Sequence, residues 1–153
     1  MTTNDPAYVA EQTSQVIDVT VTDDPLEPLM KDARPHVTTR AMGALVTFEG
    51  VVRDHDGGNR VAALSYEAHP SAEKEMGRVA REVADQFPVR AWVAHRTGPV
   101  PIGDVAFAVL VAAAHREEAF AACAAIADRT KAEVPIWKEQ ELASGSTQWV
   151  GLE

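Results

Sequence analysis

The sequence is 153 residues long and 46% apolar, a length and composition that suit one domain with a real core. Its 23 acidic and 14 basic side chains leave a net charge of −9, which excludes a general electrostatic attraction to nucleic acid or to an anionic membrane surface. Cys123 is the one cysteine, which excludes an internal disulfide and a thiolate metal cage and fits a reducing cytosol; its alanine neighbours point to a buried, inert thiol.

Residues 1–15 are polar, carry no apolar period and are expected to be loose, leaving residues 16–153 as a single domain. The start lacks the basic, apolar and small-residue succession of a signal peptide, and no apolar run is long enough to span a bilayer, so a soluble, cytoplasmic protein is expected. Residues 16–21 alternate apolar with polar as a half-buried strand does, and residues 25–33 read as a short helix opened by Asp23 and Asp24. Residues 43–53 and 61–69 are strand-like on either side of the turn-forming run 54–59, which predicts a hairpin with a mobile tip. In residues 71–87, Met76, Val79, Ala80, Val83 and Phe87 recur at helical spacing, with Ser71 as N-cap.

Residues 91–96 and 105–113 read as two more strands, separated by the Gly and Pro punctuation of residues 98–103. A second long helix is expected from Arg116 to about Ala132, stopped by Pro135, which disfavours helical geometry at Val134. Short strands over residues 136–141 and 147–150 flank a turn at residues 144–146. Helices and strands do not alternate strictly, so the class is α+β with mostly antiparallel pairing.

Lys131 is the most informative single residue. It stands four positions after Ala127, seven after Ala124 and eleven after Phe120, and so continues an apolar stripe of its helix. Either its stem lies on the core while the ammonium snorkels past the helix end, or it is an amine in a partly dry cleft, fit to donate a proton or to attack. Lys138, just beyond Pro135 and Trp137, returns to the same cleft or stands as a solvated edge lysine. Arg53 ends a strand before a polar loop, where its guanidinium fork suits a phosphate. His115 and Arg116 open a helix, where the dipole and free N–H groups favour an anion. His95 and Arg96 have no helix behind them and read as structural. The five histidines lack metal-ligand spacing, and no phosphate loop, GxSxG elbow or nucleotide fingerprint occurs.

Five segments add a resemblance. GALVTFEGVVRDH (43–55), LSYEAHPSAEKEM (64–76), HRTGPVPIGD (95–104), AAHREEAF (113–120) and TKAEVPIWKEQ (130–140) together resemble the family of molybdopterin synthase large, catalytic subunits. They occur in that family's order over roughly residues 43–150. The pairing of a helix-end lysine with a Pro-x-Trp-Lys run is the most specific part.

The resemblance implies an α/β hammerhead fold with an additional, mostly antiparallel sheet. It also implies a homodimer within a heterotetramer, each end carrying a small ubiquitin-like sulfur-carrier subunit with a Gly-Gly C-terminus. The carrier's thiocarboxylate would supply sulfur in two successive transfers that convert cyclic pyranopterin monophosphate to molybdopterin. Substrate contacts are implied at Val51, Val52, Arg53, His115, Arg116, Lys131, Lys138, Glu139 and Gln140. Lys131 and Lys138 are implied as catalytic, by stabilising oxyanions and moving protons or, for Lys131, by acting covalently on the carrier's tail. No metal and no cofactor is implied. Glu139 stands where relatives often carry a second basic residue, and the alternative function is a non-catalytic module that binds a ubiquitin-like sulfur carrier. Arg116 and Lys131 lie fifteen positions apart on one expected helix, roughly 22 Å at helical rise, so a site using both is expected to draw on two copies of the chain.

Overall fold

The computed structural model describes residues 6–151. In chain order the elements are α1 (Pro6–Gln12), β1 (Gln15–Thr22), α2 (Leu26–Val37), β2 (Ala44–Val51), β3 (His55–Asp56), β4 (Asn59–Ala68), α3 (Ala72–Gln86), β5 (Val89–Arg96), β6 (Gly98–Pro99), β7 (Val105–Ala113), α4 (Arg116–Glu133), β8 (Ile136–Leu142) and β9 (Thr147–Val150).

One sheet has the order β1-β5-β7-β2, with β1 parallel to β5 and the other pairs antiparallel. Its central strands, VRAWVAHR and VAFAVLVAA, carry almost unbroken apolar runs because helices cover both of their faces. Side chains alternate across a strand. Val89, Ala91, Val93, Val109, Val111 and Ala113 therefore pack with Met76, Val79 and Val83 of α3 and with Ala119, Ala122 and Ile126 of α4. Trp92, Ala94, Ala108, Leu110 and Ala112 point the other way, onto Leu26, Ala33 and Val37 of α2. Each fully buried Val, Leu, Ile or Met contributes about 1.5–3 kcal/mol.

The second sheet runs β3-β4-β8-β9 with β6 added beside β4, all antiparallel. A small cluster of Val52, Leu64, Val100 and Ala106 joins the two sheets. Backbone bonds fasten it: the Val52 N–H donates to the Asp104 carbonyl (3.0 Å), and the Val100 N–H to that of Leu64 (3.0 Å). This is the α+β arrangement with an additional antiparallel sheet that the sequence led us to expect. Among the described residues, no helix is long and apolar enough to cross a membrane.

Four local expectations are corrected. The runs around residues 43–53 and 61–69 are strands but not a hairpin: β2 pairs with β7, from Ala44 opposite Ala113 to Val51 opposite Val105, whereas β4 pairs with β8 and β6. Only the tip pairs locally, His55 with Arg60 and Asp56 with Asn59, around Gly57 and Gly58 at φ of 55° and 82°. A two-residue hairpin loop needs such positive φ values, which glycine adopts without strain. Residues 6–12 of the stretch expected to be loose are helical, while residues 1–5 lie outside the described residues. This start is tied down, since the Arg81 Nη2 donates to the Ser14 carbonyl (2.5 Å) and the Thr13 hydroxyl to that of Val9 (3.0 Å). Ser71 occupies the N-cap position of α3 but makes no side-chain cap, because its Oγ is engaged with His69 Nδ1 at 2.8 Å.

The fourth correction concerns α2, which runs past residue 33 and through Pro35 to Val37. Its last turn is held from outside. Arg90 Nε donates to the Val37 carbonyl (2.8 Å), Nη2 to that of His36 (2.8 Å) and Nη1 to that of Gln12 (2.9 Å). One guanidinium thus satisfies carbonyls that a helix end leaves without partners and clasps α1, α2 and β5 together. Arg90→Ala is expected to lower stability by about 1.5–3 kcal/mol, the range for hydrogen bonds to a charged group. Lysine, lacking the fork, should restore less than half. Urea unfolding midpoints measure this, and a loss below roughly 0.5 kcal/mol, the size of an ordinary surface substitution, would remove the clasp.

Candidate functional site

A cavity of about 490 Å³ opens at the C-terminal end of α4, and its walls include Phe48 and Val51 of β2, Tyr66 of β4, His95 of β5, Phe107 of β7, Lys131 of α4, and Trp137 and Lys138 of β8. It lies at the seam where the two sheets meet. Two local stops place the lysines. Val134 turns extended (φ −90°, ψ 129°) ahead of Pro135 and closes α4 through its N–H to the Thr130 carbonyl (3.0 Å). Strand β8 begins two residues later, paired to β4 with Lys138 opposite Tyr66. A helix end and a strand start therefore bring Lys131 and Lys138 to one cavity, the first of the two placements open to Lys138.

The surroundings of Lys131 differ from the expected stripe. The buried side of α4 is Ala119, Ala122, Cys123, Ile126 and Thr130, while Phe120 is 59% exposed and Lys131 is exposed at the cavity rim. An alanine-rich helix is weakly apolar on every side, so periodicity does not locate its buried face. Cys123 is buried as expected, and burial pushes its thiol up to about 11.

Lys138 is held by Asp56, a carboxylate of the turn-forming run 54–59. Asp56 lies 3.6 Å from Lys138 Nζ and 3.4 Å from Arg53 Nη2, and its Oδ2 accepts from Gln140 Nε2 at 2.8 Å. Gln140 is 1% exposed and also donates to Gln148 Oε1 (3.1 Å), so it is a fixed anchor. The Gln140 hydrogen bond, ahead of the nearby Lys138 and Arg53 charges, holds the Asp56 carboxyl below its usual 3.8 against the opposing effect of burial. The signal available in sequence was an acid three positions after Arg53, at the foot of a Gly-Gly turn.

The other anticipated residues divide. Val51 lines the cavity, whereas Val52 is buried in the cluster between the sheets. Arg53 is largely exposed beside Asp56 and reaches the cavity lysine only through that carboxylate. Glu139 lies between Ser65 and Trp149 in the second sheet and is not part of the cavity wall. His115 and Arg116 are exposed at the opposite end of α4, roughly 22 Å of helix away from Lys131. Among the described residues, no group of three or more His, Cys, Asp or Glu side chains gathers to hold a metal.

His95, read from sequence as structural, is 7% exposed yet reaches the cavity wall. Its ring packs edge-on against Tyr66 (centroids 4.9 Å apart) and stacks on Phe107 (5.4 Å). Burial lowers its pKa to about 4, so the ring is neutral at physiological pH.

Residues 21–133 match the family model described as "MoaE protein". The chain is 42% identical over 118 residues to a protein of Pyrococcus abyssi named molybdopterin synthase catalytic subunit, covering 76% of this chain and 80% of that one. It is 40% identical over 133 residues to molybdopterin synthase catalytic subunit 1 of Mycobacterium tuberculosis, covering 86% and 88%. Among solved structures, molybdopterin synthase from Staphylococcus aureus superposes with a TM-score of 0.80 at 30% identity, over 87% of this chain and 96% of that chain.

The Asp56 cluster has a pH signature. A carboxyl whose folded pKa lies below its unfolded value stabilises the fold above the unfolded pKa, and that contribution is lost as pH falls through the folded one. Asp56→Asn is therefore expected to be less stable than the parent at about pH 7, with the gap closing as pH falls below the usual carboxyl value of 3.8. Denaturant midpoints across that range test it. A gap that does not change with pH would mean that charge is not what Asp56 contributes.

Proposed function

The chain belongs to the MoaE protein family, and on that premise we propose that it is the catalytic subunit of a molybdopterin synthase. In this reading it moves sulfur from the C-terminal thiocarboxylate of a small ubiquitin-like carrier onto cyclic pyranopterin monophosphate. The observation that carries the reading is the convergence of Lys131 and Lys138 on one cavity lined by Phe48, Tyr66, Phe107 and Trp137. About 490 Å³ is within the usual range for a small-molecule site, and the aromatic wall suits a flat pterin ring.

Sulfur attack builds negative charge on oxygen and requires protons to move. Two ammonium groups on one cavity stabilise that charge and supply protons, with Lys131 exposed at the rim and Lys138 steadied by Asp56. The carrier's Gly-Gly tail, having no side chains, enters the cavity as an extended segment held by backbone and pocket contacts. Arg53, His115 and Arg116 supply the donors for phosphate and pterin. Because His115 and Arg116 stand far along α4 from Lys131, they serve the site of a neighbouring copy. The exposed Phe48, Val51 and Phe120 on β2 and α4 offer apolar surface for such a homodimer, with one carrier at each end making the heterotetramer.

Incubation with thiocarboxylated carrier and cyclic pyranopterin monophosphate, followed by mass spectrometry, should show sulfur gained by the pterin. Carrier binding without product would favour the non-catalytic module. Lys131→Ala should lower turnover by at least about a hundredfold while unfolding at the parent's temperature, the scale on which a positioned proton-transfer group contributes. Arginine should not rescue it, since its fork differs in shape and it does not release a proton. Near-normal turnover in Lys131→Ala would end the catalytic assignment.

The shared site has its own test. Arg116→Ala and Lys131→Ala homodimers should each be impaired, and a mixed dimer should regain one intact site. If heterodimers form and activity stays absent, the site lies within one chain.

A further inference from the structure

Resting on the reading of this cavity as the sulfur-transfer site, we propose that His95 is a substrate-orienting residue: a neutral imidazole that turns a bare Nε2 lone pair to the cavity and accepts a hydrogen bond from an N–H of the bound ligand. The tautomer follows from geometry. Nδ1 lies 2.8 Å from the Arg96 carbonyl oxygen, which only accepts, so the ring proton is on Nδ1 and Nε2 is left as the acceptor. Tyr66 against one side of the ring and Phe107 stacked on it hold the imidazole in that orientation. The residue is 7% exposed, and Nε2 has no partner among the described residues, so what remains open of the ring is its edge on the cavity wall. Burial keeps a second proton off the ring down to about pH 4.

The complement of groups around the cavity gives this acceptor its use. Lys131 and Lys138 only donate, the Tyr66 and Thr130 hydroxyls can do either, and the Asp128 carboxylate is charged and exposed. Among the described side chains that line the cavity, His95 Nε2 is the one uncharged group that accepts without donating. A ligand presenting an N–H to it is fixed in one orientation; a ligand presenting a carbonyl there meets lone pair against lone pair and is rejected. Two sources of that N–H arise from the proposed reaction, a ring N–H of the pterin and a backbone amide of the carrier's tail.

The test reads the ring directly. Long-range proton–nitrogen NMR of the uniformly labelled protein, with the His95 signals identified by their absence from His95→Gln, should show Nδ1 protonated and Nε2 bare at neutral pH. Titration with cyclic pyranopterin monophosphate, and separately with a peptide of the carrier's Gly-Gly tail, should move the Nε2 resonance with one of them, and which one identifies the donor. In parallel, His95→Phe should raise KM for that component about tenfold, the effect of one lost hydrogen bond, with a smaller change in kcat. His95→Gln, whose amide oxygen can reach the Nε2 position, should recover most of it while no longer holding the Arg96 carbonyl as histidine does. A protonated Nε2 in the free protein, an Nε2 signal that neither probe moves, or a phenylalanine variant with parental KM would each overturn the assignment. Absence of product from the unsubstituted chain would strike only the sulfur-transfer reading, because the protonation of the ring and its response to the probes are observed without turnover.

Discussion

Strands β5 and β7 are buried on both faces, and the rest of the molecule is placed by the need to keep water from them. One face is covered by α3 and α4 and the other by α2, so the helical layers are two sides of one solution to the same exposure problem. A strand with apolar side chains on both faces has no tolerance for a polar edge, which is why β1 and β2 flank the pair. Arg90 shows how far the constraint reaches. Its backbone belongs to a buried strand, and its guanidinium leaves the sheet to seal the ends of two helices.

The cavity arises where this solution ends. Beyond residue 133 the chain can no longer continue as a covering helix, and it crosses to the second sheet at Pro135. The crossing leaves a gap between the end of α4, the exposed half of β2 and the first residues of β8. Polar chemistry is affordable there because neither sheet needs the space for its own core. The Asp56, Gln140 and Lys138 group is consistent with that placement, with the buried amide fixing a carboxylate and the carboxylate steadying an ammonium.

Much of this was legible in the chain itself. The α3 period, the paired apolar runs of β5 and β7, and the proline stop after α4 each rest on a strong local signal, and each element stands within a few residues of its expected place. The convergence of Lys131 and Lys138 was one of two placements that the proline stop left open for Lys138. What was not legible depended on partners distant in sequence. The pairing of β2 with β7 could not be told from a pairing with β4, which lies nearer in the chain and is joined to β2 by turn-forming residues. The burial of Ala119 and Ala122 in preference to Ala124 leaves no mark in a helix of alanines. His95 looked inert because its surroundings, Tyr66 from β4 and Phe107 from β7, come from elsewhere in the chain. Asp56 was hidden for a similar reason, its anchor being Gln140 in β8.

The separation of β2 from its partner also governs the order in which this protein can be assembled on the ribosome. β2 is complete when Val51 has been added, but the strand it pairs with ends at Ala113, so the interval between them is the time needed to add the intervening residues. At a synthesis rate of about 5–20 residues per second that interval is roughly 3–12 s. During it, a finished strand waits without β7, with β4 the nearer strand in the chain. The emerging chain therefore passes through a period in which the local hairpin, absent from the final structure, is the pairing nearest to hand.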